Sequence, residues 1–232
     1  MTAANRHERL WQVNHRSTSL PFHKGEGPTS SFYFFGGHIA VDFVNTVVIE
    51  AGAPVDHLSS PAALAGWVSA SGLGAEFGVP VTVDAATYAL AKELRAALKD
   101  GYSALVHGEP IPDQALATVN GVLRSGPGTE LRRPVGGGLE RALRVDLASD
   151  PRSLPWILAN AGAELMTSDQ ASMLRRCANH DSCVLLFLDT SRSRTRRWCS
   201  MELCGNRNKV AAHSRRERDK RPRPRHDDSG TD

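Results

Sequence analysis

The segment CANHDSCVLLFLDTSRSRTRRWCSMELCGNRNKV, residues 177–210, contains every cysteine of this 232-residue chain. Cys177, Cys183, Cys199 and Cys204 follow the spacing C-x5-C-x15-C-x4-C. Four thiolates complete the tetrahedral coordination of Zn²⁺ and leave no position for a catalytic water. The spacing therefore predicts one structural zinc ion, and four buried free thiols in one core are the alternative.

The residues around the cysteines predict a small α+β module. The apolar residues 184–188 favour a strand, and the polar turn after them favours a return strand that ends at Cys199. Gly205 suits a tight metal loop, and Asn206 is a favourable N-cap for a helix after the last cysteine. A loop, a hairpin and a helix in this order are typical of a treble-clef-like zinc module. Because the module has few apolar residues, we expect zinc binding to supply much of its folding free energy.

Basic residues are concentrated in the same part of the chain. Residues 1–174 contain 13 Lys and Arg against 17 Asp and Glu, whereas residues 175–232 contain 15 against 8. The first part thus has a net charge of −4 and the second of +7, which together give the +3 of the whole chain. A basic segment attached to a mildly acidic body predicts a polyanionic partner, most often nucleic acid. A solvated basic tail without a partner is the alternative.

Two groups of side chains are candidate nucleic-acid contacts. On a helix that starts near Asn206, one stripe carries Lys209, His213, Arg216 and Lys220. The segment before the third cysteine adds Arg192, Arg194, Arg196 and Arg197. Arg207, on an adjoining stripe, could contact a base or a phosphate, or it could hydrogen-bond a carbonyl or carboxylate within the module. Together these side chains form the candidate basic surface.

Ahead of the cysteines, the sequence predicts a mainly helical domain with one small β-hairpin. Helix starts are indicated by a proline in the first turn or by an N-capping Ser or Asp. The predicted helices begin after Gly37, after the caps Ser60 and Asp84, at Pro112 and at Pro155. The first of them would carry Ile39, Phe43 and Val47 on one face. Glycines at 136–138 separate two semi-alternating segments within 129–146 and predict the hairpin.

Three polar residues stand beside the apolar face of the first predicted helix. Asn45 and Thr46 follow Asp42 by three and four residues, so a helix would present all three together. Polar groups at the edge of a core need hydrogen-bonding partners. They predict either an internal network that ties the helix to neighbouring loops or a pocket for a small molecule.

The chain divides into four predicted regions. These are a disordered leader at 1–30, the mainly helical domain at 31–170, the zinc module at 171–220 and a disordered tail at 221–232. No apolar run approaches the about 18 residues of a membrane span, so we expect a cytoplasmic protein. The sequence has no phosphate-binding glycine loop, no HExxH motif and no nucleophile elbow, which argues against an enzyme.

Several of these motifs resemble a known family. CANHDSC, FLDTSRSRTRRWCSM and CGNRNKV resemble the CGNR zinc finger of bacterial regulators. GGHIAVDFVNTV, with the helices after it, resembles the ABATE domain that usually precedes this finger. The resemblance covers roughly residues 32–220. It implies a stress-responsive transcription regulator with a DNA-binding finger, and it implies zinc ligation by each of the four cysteines.

The favoured hypothesis is a regulator that binds duplex DNA through its zinc module, with an N-terminal domain that could sense a small molecule or a stress. Two alternatives remain open from the residues alone. The candidate basic surface could bind RNA instead. It could also dock an acidic protein, which would make the module a zinc-stabilised interaction domain.

Overall fold

The computed structural model describes residues 32–134 and 136–219. The predicted leader and tail, and Lys220, lie outside the described residues. The helices are α1 (Ile39–Val44), α2 (Pro61–Ala70), α3 (Leu73–Phe77), α4 (Ala85–His107), α5 (Asp113–Leu123), α6 (Leu154–Thr167) and α7 (Asn206–Asp219). The strands are β1 (Val47–Glu50), β2 (Ala53–Asp56), β3 (Thr129–Arg132), β4 (Glu140–Leu143), β5 (Leu174–Arg176) and β6 (Leu186–Leu188). The predicted class is confirmed: mainly helical with small antiparallel hairpins, followed by the four-cysteine module.

Helices α2 and α4 begin at the caps that the sequence indicates. Ser60 Oγ accepts a hydrogen bond from the amide of Ala63 at 3.1 Å, and Asp84 Oδ1 accepts one from the amide of Thr87 at 2.9 Å. Both bonds satisfy an amide that the first helical turn leaves without a partner. At the other end of α4, Gly108 adopts a left-handed conformation with φ of 69°, which a glycine reaches without steric cost.

The helices pack around a common apolar core. Side chains of β5 and β6, the strands on either side of the first two cysteines, are also part of this core. The long helix α4 contacts α1, α5 and α6. Its buried face presents Leu94, Leu98 and Tyr102. Leu174 of β5 and Leu186 of β6 are buried in the same core. The zinc module is therefore anchored to the helical part by apolar packing.

The first predicted helix is shorter than expected. α1 ends at Val44, and Val47 begins a strand that pairs with β2, so the prediction of Val47 on the helical face is wrong. Ala51 and Gly52 both have positive φ, 49° and 84°, as a two-residue turn of type I′ requires. The β-branched run that follows the helix favours a strand, and this local turn closes it into a hairpin.

The hairpin predicted within 129–146 is confirmed, with Thr129 opposite Leu143. The hairpin predicted inside the zinc module has a different partner. β6 pairs with β5, which precedes Cys177, and Leu174 lies opposite Leu188. The expected return strand before Cys199 is not formed.

Asp189 explains why the segment after β6 does not return as a strand. Its carboxylate accepts from the amide and hydroxyl of Ser191, at 3.0 and 2.5 Å, and from the amide of Arg196 at 3.0 Å. Asp189 is fully buried. The Asp189 carboxylate thus satisfies main-chain amides of the loop that a neighbouring strand would otherwise satisfy. Asp side chains that bond to nearby main-chain amides compete with strand pairing for this reason.

Candidate metal centre and nucleic-acid interface

The four cysteines meet at one point of the structure. All are buried, and their sulfur atoms lie within 4.8 Å of one another. Cys183 Sγ is 3.7 Å from Cys199 Sγ, which is 3.6 Å from Cys204 Sγ. A tetrahedral zinc ion with bonds of about 2.3 Å to sulfur requires sulfur–sulfur separations of about 3.8 Å. The cluster therefore fits one zinc ion, held structurally by four protein ligands.

The close approach of the thiols couples their ionisation. Hydrogen bonds from Cys183 and Cys199 lower the pKa of Cys177. The contact with Cys177 raises the pKa of both Cys183 and Cys199. Neighbouring thiols can share a single negative charge, whereas full ionisation of adjacent buried sulfurs needs a cation to offset their repulsion. A bound Zn²⁺ supplies that charge.

Backbone hydrogen bonds place the first ligand beside the third. The amide of Cys177 donates to the carbonyl of Leu185 at 3.0 Å, which extends the pairing of β5 and β6 by one step. The next amide, of Ala178, donates to the carbonyl of Arg197 at 2.8 Å. The two ligand-bearing loops are thus joined directly through their main chains.

The fourth ligand sits on a wide helical turn that leads into α7. Met201–Gly205 forms a π-helical turn, and Ser200 Oγ accepts from the amides of the second and third residues of that turn. The amide of Cys204 donates to the carbonyl of Ser200 at 3.1 Å. Asn206 is not the N-cap predicted from the sequence, because the helical turns already begin after Ser200 and Ser200 caps them.

Apolar side chains cover the sulfur cluster. Phe187 is fully buried, and it shares a cluster with Val48, Leu185 and the four cysteines. Trp198 packs against this cluster. Val48 comes from β1, so the helical part of the chain contributes to the environment of the metal centre. Exclusion of water favours retention of the metal.

Arg196 is held inside the module. Its guanidinium lies 4.4 Å from the centre of the Phe187 ring, and its Nε donates to the carbonyl of Trp198 at 2.9 Å. Its Nη2 donates to the carbonyl of Cys199, a zinc ligand. These contacts occupy the Nε–Nη2 edge and one face of the guanidinium, so we assign Arg196 to support of the metal loop and not to the basic surface.

The remaining arginines of the same segment are exposed. Arg192 and Arg194 lie on the loop after Asp189, and Arg194 donates to the carbonyl of Asp189 at 2.7 Å. Arg197 places its guanidinium 5.0 Å from the centre of the Trp198 ring. Each of the three keeps its charged group at the surface of the finger.

The basic residues after the fourth cysteine lie on α7. Arg207 is exposed, and its Nη1 lies 3.3 Å from the hydroxyl and 3.4 Å from the carbonyl oxygen of Ser182. The sequence analysis offered a hydrogen bond to a carbonyl within the module as one of the alternatives for Arg207, and this contact is of that kind. Lys209 is exposed two residues further along. His213 and Arg216 occupy later positions of α7, and their side chains are outside the described part of the structure.

Asn45 connects the helical part of the chain to the finger. Its Nδ2 donates to the carbonyl of Leu186 at 2.8 Å, and its Oδ1 accepts from the amide of Leu186 at 2.9 Å. Asn45 is 2% exposed. The paired bonds fix β6 against the end of α1, and both would be broken together if β6 moved away.

Asp42 and Thr46 make internal contacts as well. Asp42 Oδ1 accepts from the amide of Gly36 at 2.7 Å, and burial raises the pKa of this carboxyl to about 8. Thr46 Oγ1 donates to the carbonyl of Phe43 at 2.7 Å and accepts from Arg95 at 2.8 Å. With Asn45, these residues form the internal network that the sequence offered as the alternative to a ligand pocket.

Sequence reasoning did not identify the role of Arg95. Its guanidinium is buried and forms two hydrogen bonds of 2.7 Å with the carboxylate of Asp56. Burial acts to raise the pKa of Asp56, but hydrogen bonds from Arg95 and Lys92 outweigh it and lower the pKa to about 2. The sequence did contain a signal for this role: Arg95 directly follows Leu94, which belongs to the apolar stripe of α4. A cation at such a position needs a buried partner.

Within residues 32–134 and 136–219, no helix combines the length and apolar character that crossing a membrane demands.

Comparison with known protein families gives two matches in order along the chain. The ABATE family model, described as "Putative stress-induced transcription regulator", matches residues 37–169, more than half of the chain. The model of the CGNR zinc finger matches residues 173–217. A search of curated proteins finds no match. The family matches confirm the resemblance seen in the sequence and agree with a finger built around four clustered cysteines.

Proposed function

Because this chain belongs to the ABATE family and carries a CGNR zinc finger, we propose that it regulates transcription by binding duplex DNA through that finger. The supporting observation is the exposed set of cations on a module fixed by four cysteine ligands. Arg192 and Arg197 lie before the third ligand, and Arg207 and Lys209 lie after the fourth. Cations held by a folded scaffold can meet successive phosphates without first losing the conformational entropy of a disordered tail.

The charge distribution supports a polyanionic partner over a neutral one. The net charge of +7 lies in residues 175–232, so electrostatic attraction to DNA would be directed at the finger. Phosphate contacts would supply most of the affinity, and contacts to base edges would supply sequence preference. Arg207, near the start of α7, is our candidate for a base contact once it exchanges its long bonds to Ser182 for a guanine edge.

The N-terminal domain is proposed to transmit a signal, such as a stress or a small molecule, to the finger. The support is the pair of hydrogen bonds between Asn45 and Leu186, which lies three residues after the zinc ligand Cys183. A change at α1 would reach the metal loop through these bonds. In this proposal the chain acts in the cytoplasm as a binding protein and not as an enzyme.

The test is a set of titrations with zinc-loaded full-length protein. We would compare random-sequence duplex DNA, a structured RNA and DNA pools enriched by repeated selection, all at the same salt concentration. The proposal requires tighter binding to duplex DNA than to the RNA, together with enrichment of a preferred sequence. Tighter binding to the RNA would favour an RNA-binding function, and absence of binding to both would favour docking to an acidic protein.

A further inference from the structure

A cleft lies between α4 and the strands of the finger, and none of the four cysteines lines it. It has a volume of about 180 Å³. Its lining residues come from α4 and from both sides of the finger hairpin: Lys99, Ser103, Val106, His107, Arg176, Val184 and Leu186. A cavity of about 150 Å³ is large enough to bind benzene. The cleft can therefore accept one ring or a short aliphatic chain.

One side of the cleft is cationic and lacks an acidic partner. Lys99 is half-buried, and its Nζ makes one long hydrogen bond of 3.4 Å, to the carbonyl of Val184. Burial, then the charges of Arg176 and Arg95, lower the pKa of Lys99, and the opposing influence of Asp100 is smaller. Within the described residues, neither Lys99 nor Arg176 forms an ion pair. A bound anion would offset the cost of holding these charges close together.

The hydroxyl of Ser103, the imidazole of His107 and apolar groups complete the lining. His107 Nδ1 lies 2.7 Å from the carbonyl oxygen of Ser103, so this nitrogen carries the proton of the neutral ring and Nε2 is a hydrogen-bond acceptor. The hydroxyl of Ser103 has no hydrogen-bonding partner among the described residues. Val106, Val184 and Leu186 supply the apolar part of the lining. A ligand that matches both the cationic and the apolar groups has a negatively charged head and a small apolar body.

We propose that this cleft binds a small organic carboxylate, with the carboxylate between Lys99 and Arg176 and the apolar body against Val106, Val184 and Leu186. The proposal goes beyond DNA binding and does not depend on it. Arg176 immediately precedes Cys177, and Val184 immediately follows Cys183. A ligand in the cleft would thus contact α4 and both loops of the first ligand pair, and it would stabilise their docked arrangement by mass action.

The experiment uses benzoate as the probe and benzamide as a neutral probe of nearly the same shape. Each is added up to about 10 mM to zinc-loaded full-length protein, with sodium chloride adjusted to constant ionic strength, and amide chemical shifts are followed by NMR. We expect saturable shifts from benzoate at residues 99–107, 176 and 184–186. Benzamide should bind at least about tenfold more weakly, because it lacks the charge that Lys99 and Arg176 recognise.

Variants of one lysine locate the site. Lys99→Gln should weaken benzoate binding at least about tenfold, whereas Lys99→Arg should retain it. Arg124→Gln removes an exposed charge at the end of α5, far from the lining residues in sequence, and should leave binding unchanged. Zinc content is measured in each variant, so that loss of the finger is not mistaken for loss of the site.

Four results would overturn the proposal. The first is absence of saturable shifts with benzoate, and the second is equal affinity for benzoate and benzamide. The third is binding that Lys99→Gln leaves unchanged. Inorganic phosphate is titrated in parallel, and tighter binding of phosphate than of benzoate would also reject the organic carboxylate. None of these readouts involves DNA, so failure here is distinct from failure of the proposed regulatory function.

Discussion

At the scale of single residues, two polar side chains stabilise the finger: one joins it to the helical part, and the other supports its metal loop. Asn45 satisfies the main chain of Leu186 on both its donor and its acceptor. Arg196 satisfies two carbonyls beside the third zinc ligand, at Trp198 and Cys199. Each of these side chains hydrogen-bonds main-chain groups of the finger that have no main-chain partner in a regular helix or sheet. Their loss should therefore leave buried polar groups without partners.

Replacement of Asn45 by Ala should destabilise the protein by about 2–4 kcal/mol, because the amide and carbonyl of Leu186 both lose a buried partner. Urea unfolding of the zinc-loaded protein measures this change. Asn120→Ala on the exposed face of α5 is the matched control and should cost less than about 0.5 kcal/mol. An equally small cost for Asn45→Ala would mean that β6 is not docked on α1 in solution.

Replacement of Arg196 by Lys keeps the charge but removes the planar donor group. We expect zinc affinity to fall by about 10–100-fold, as happens when groups that support metal ligands are removed. Competition with a chromophoric chelator measures the affinity. Arg192→Lys, at an exposed position of the same loop, should have no effect. If both variants hold zinc equally well, Arg196 does not support the metal loop and returns to the candidate basic surface.

At the scale of elements, the sequence predicted those features that depend on contacts between residues close together in the chain. The caps at Ser60 and Asp84 act within one helical turn, so the starts of α2 and α4 could be read from the sequence. The pairing of β6 could not be read in this way. Its partner β5 lies on the other side of two zinc ligands, and the competing return segment is held as a loop by the buried carboxylate of Asp189.

The same reasoning applies to the candidate site. Cysteine spacing was sufficient to predict the metal ligands, because the coordination chemistry of zinc restricts the donor set. Spacing along α1 placed Asp42, Asn45 and Thr46 together but could not distinguish a pocket from a network. That distinction depends on Leu186, which lies 141 residues after Asn45. Contacts over such a separation are set by tertiary packing and leave no local signal.

Removal of zinc should unfold the finger and lower the stability of the helical part without unfolding it. The thiolates lose the cation that offsets their repulsion, while α4, α5 and α6 keep most of their mutual packing. The loss of Leu174 and Leu186 from the common core explains the lower stability. Circular dichroism during chelator-induced zinc removal, followed by thermal unfolding, measures both effects. Complete loss of helical signal upon chelation would show that the two parts fold only together.

At the scale of the whole molecule, the basic residues and most of the apolar core lie in different parts of the chain. The finger carries the basic residues, while the helical part supplies the apolar core and the Asn45 anchor on which β6 rests. A cationic surface with few apolar residues folds poorly by itself, because like charges repel and little area can be buried. Zinc and the helical part together offset these costs. The exposed cations are thereby available to an external polyanion.

The last prediction concerns these exposed cations. The triple variant Arg192→Gln, Arg197→Gln and Lys209→Gln should bind all duplex sequences more weakly. The plot of log K for DNA binding against log salt concentration should also become less steep. Its slope should decrease in magnitude by about 0.9 for each phosphate that the variant no longer neutralises, up to about 3 in total. Sequence preference should persist, since phosphate contacts do not read bases. Titrations of preferred and random duplexes at several salt concentrations measure both quantities.

The matched control removes the same charge from the helical part, through Arg124→Gln, Arg133→Gln and Arg144→Gln, all at exposed positions. Both triple variants change the net charge of the molecule equally, so a general long-range effect would reduce affinity in both. A contact effect confined to the finger would change the slope in the first variant alone, with zinc content unchanged. Equal slopes in the two variants would place the DNA-binding surface elsewhere, because counterion release follows the phosphates that are contacted and not the net charge of the protein.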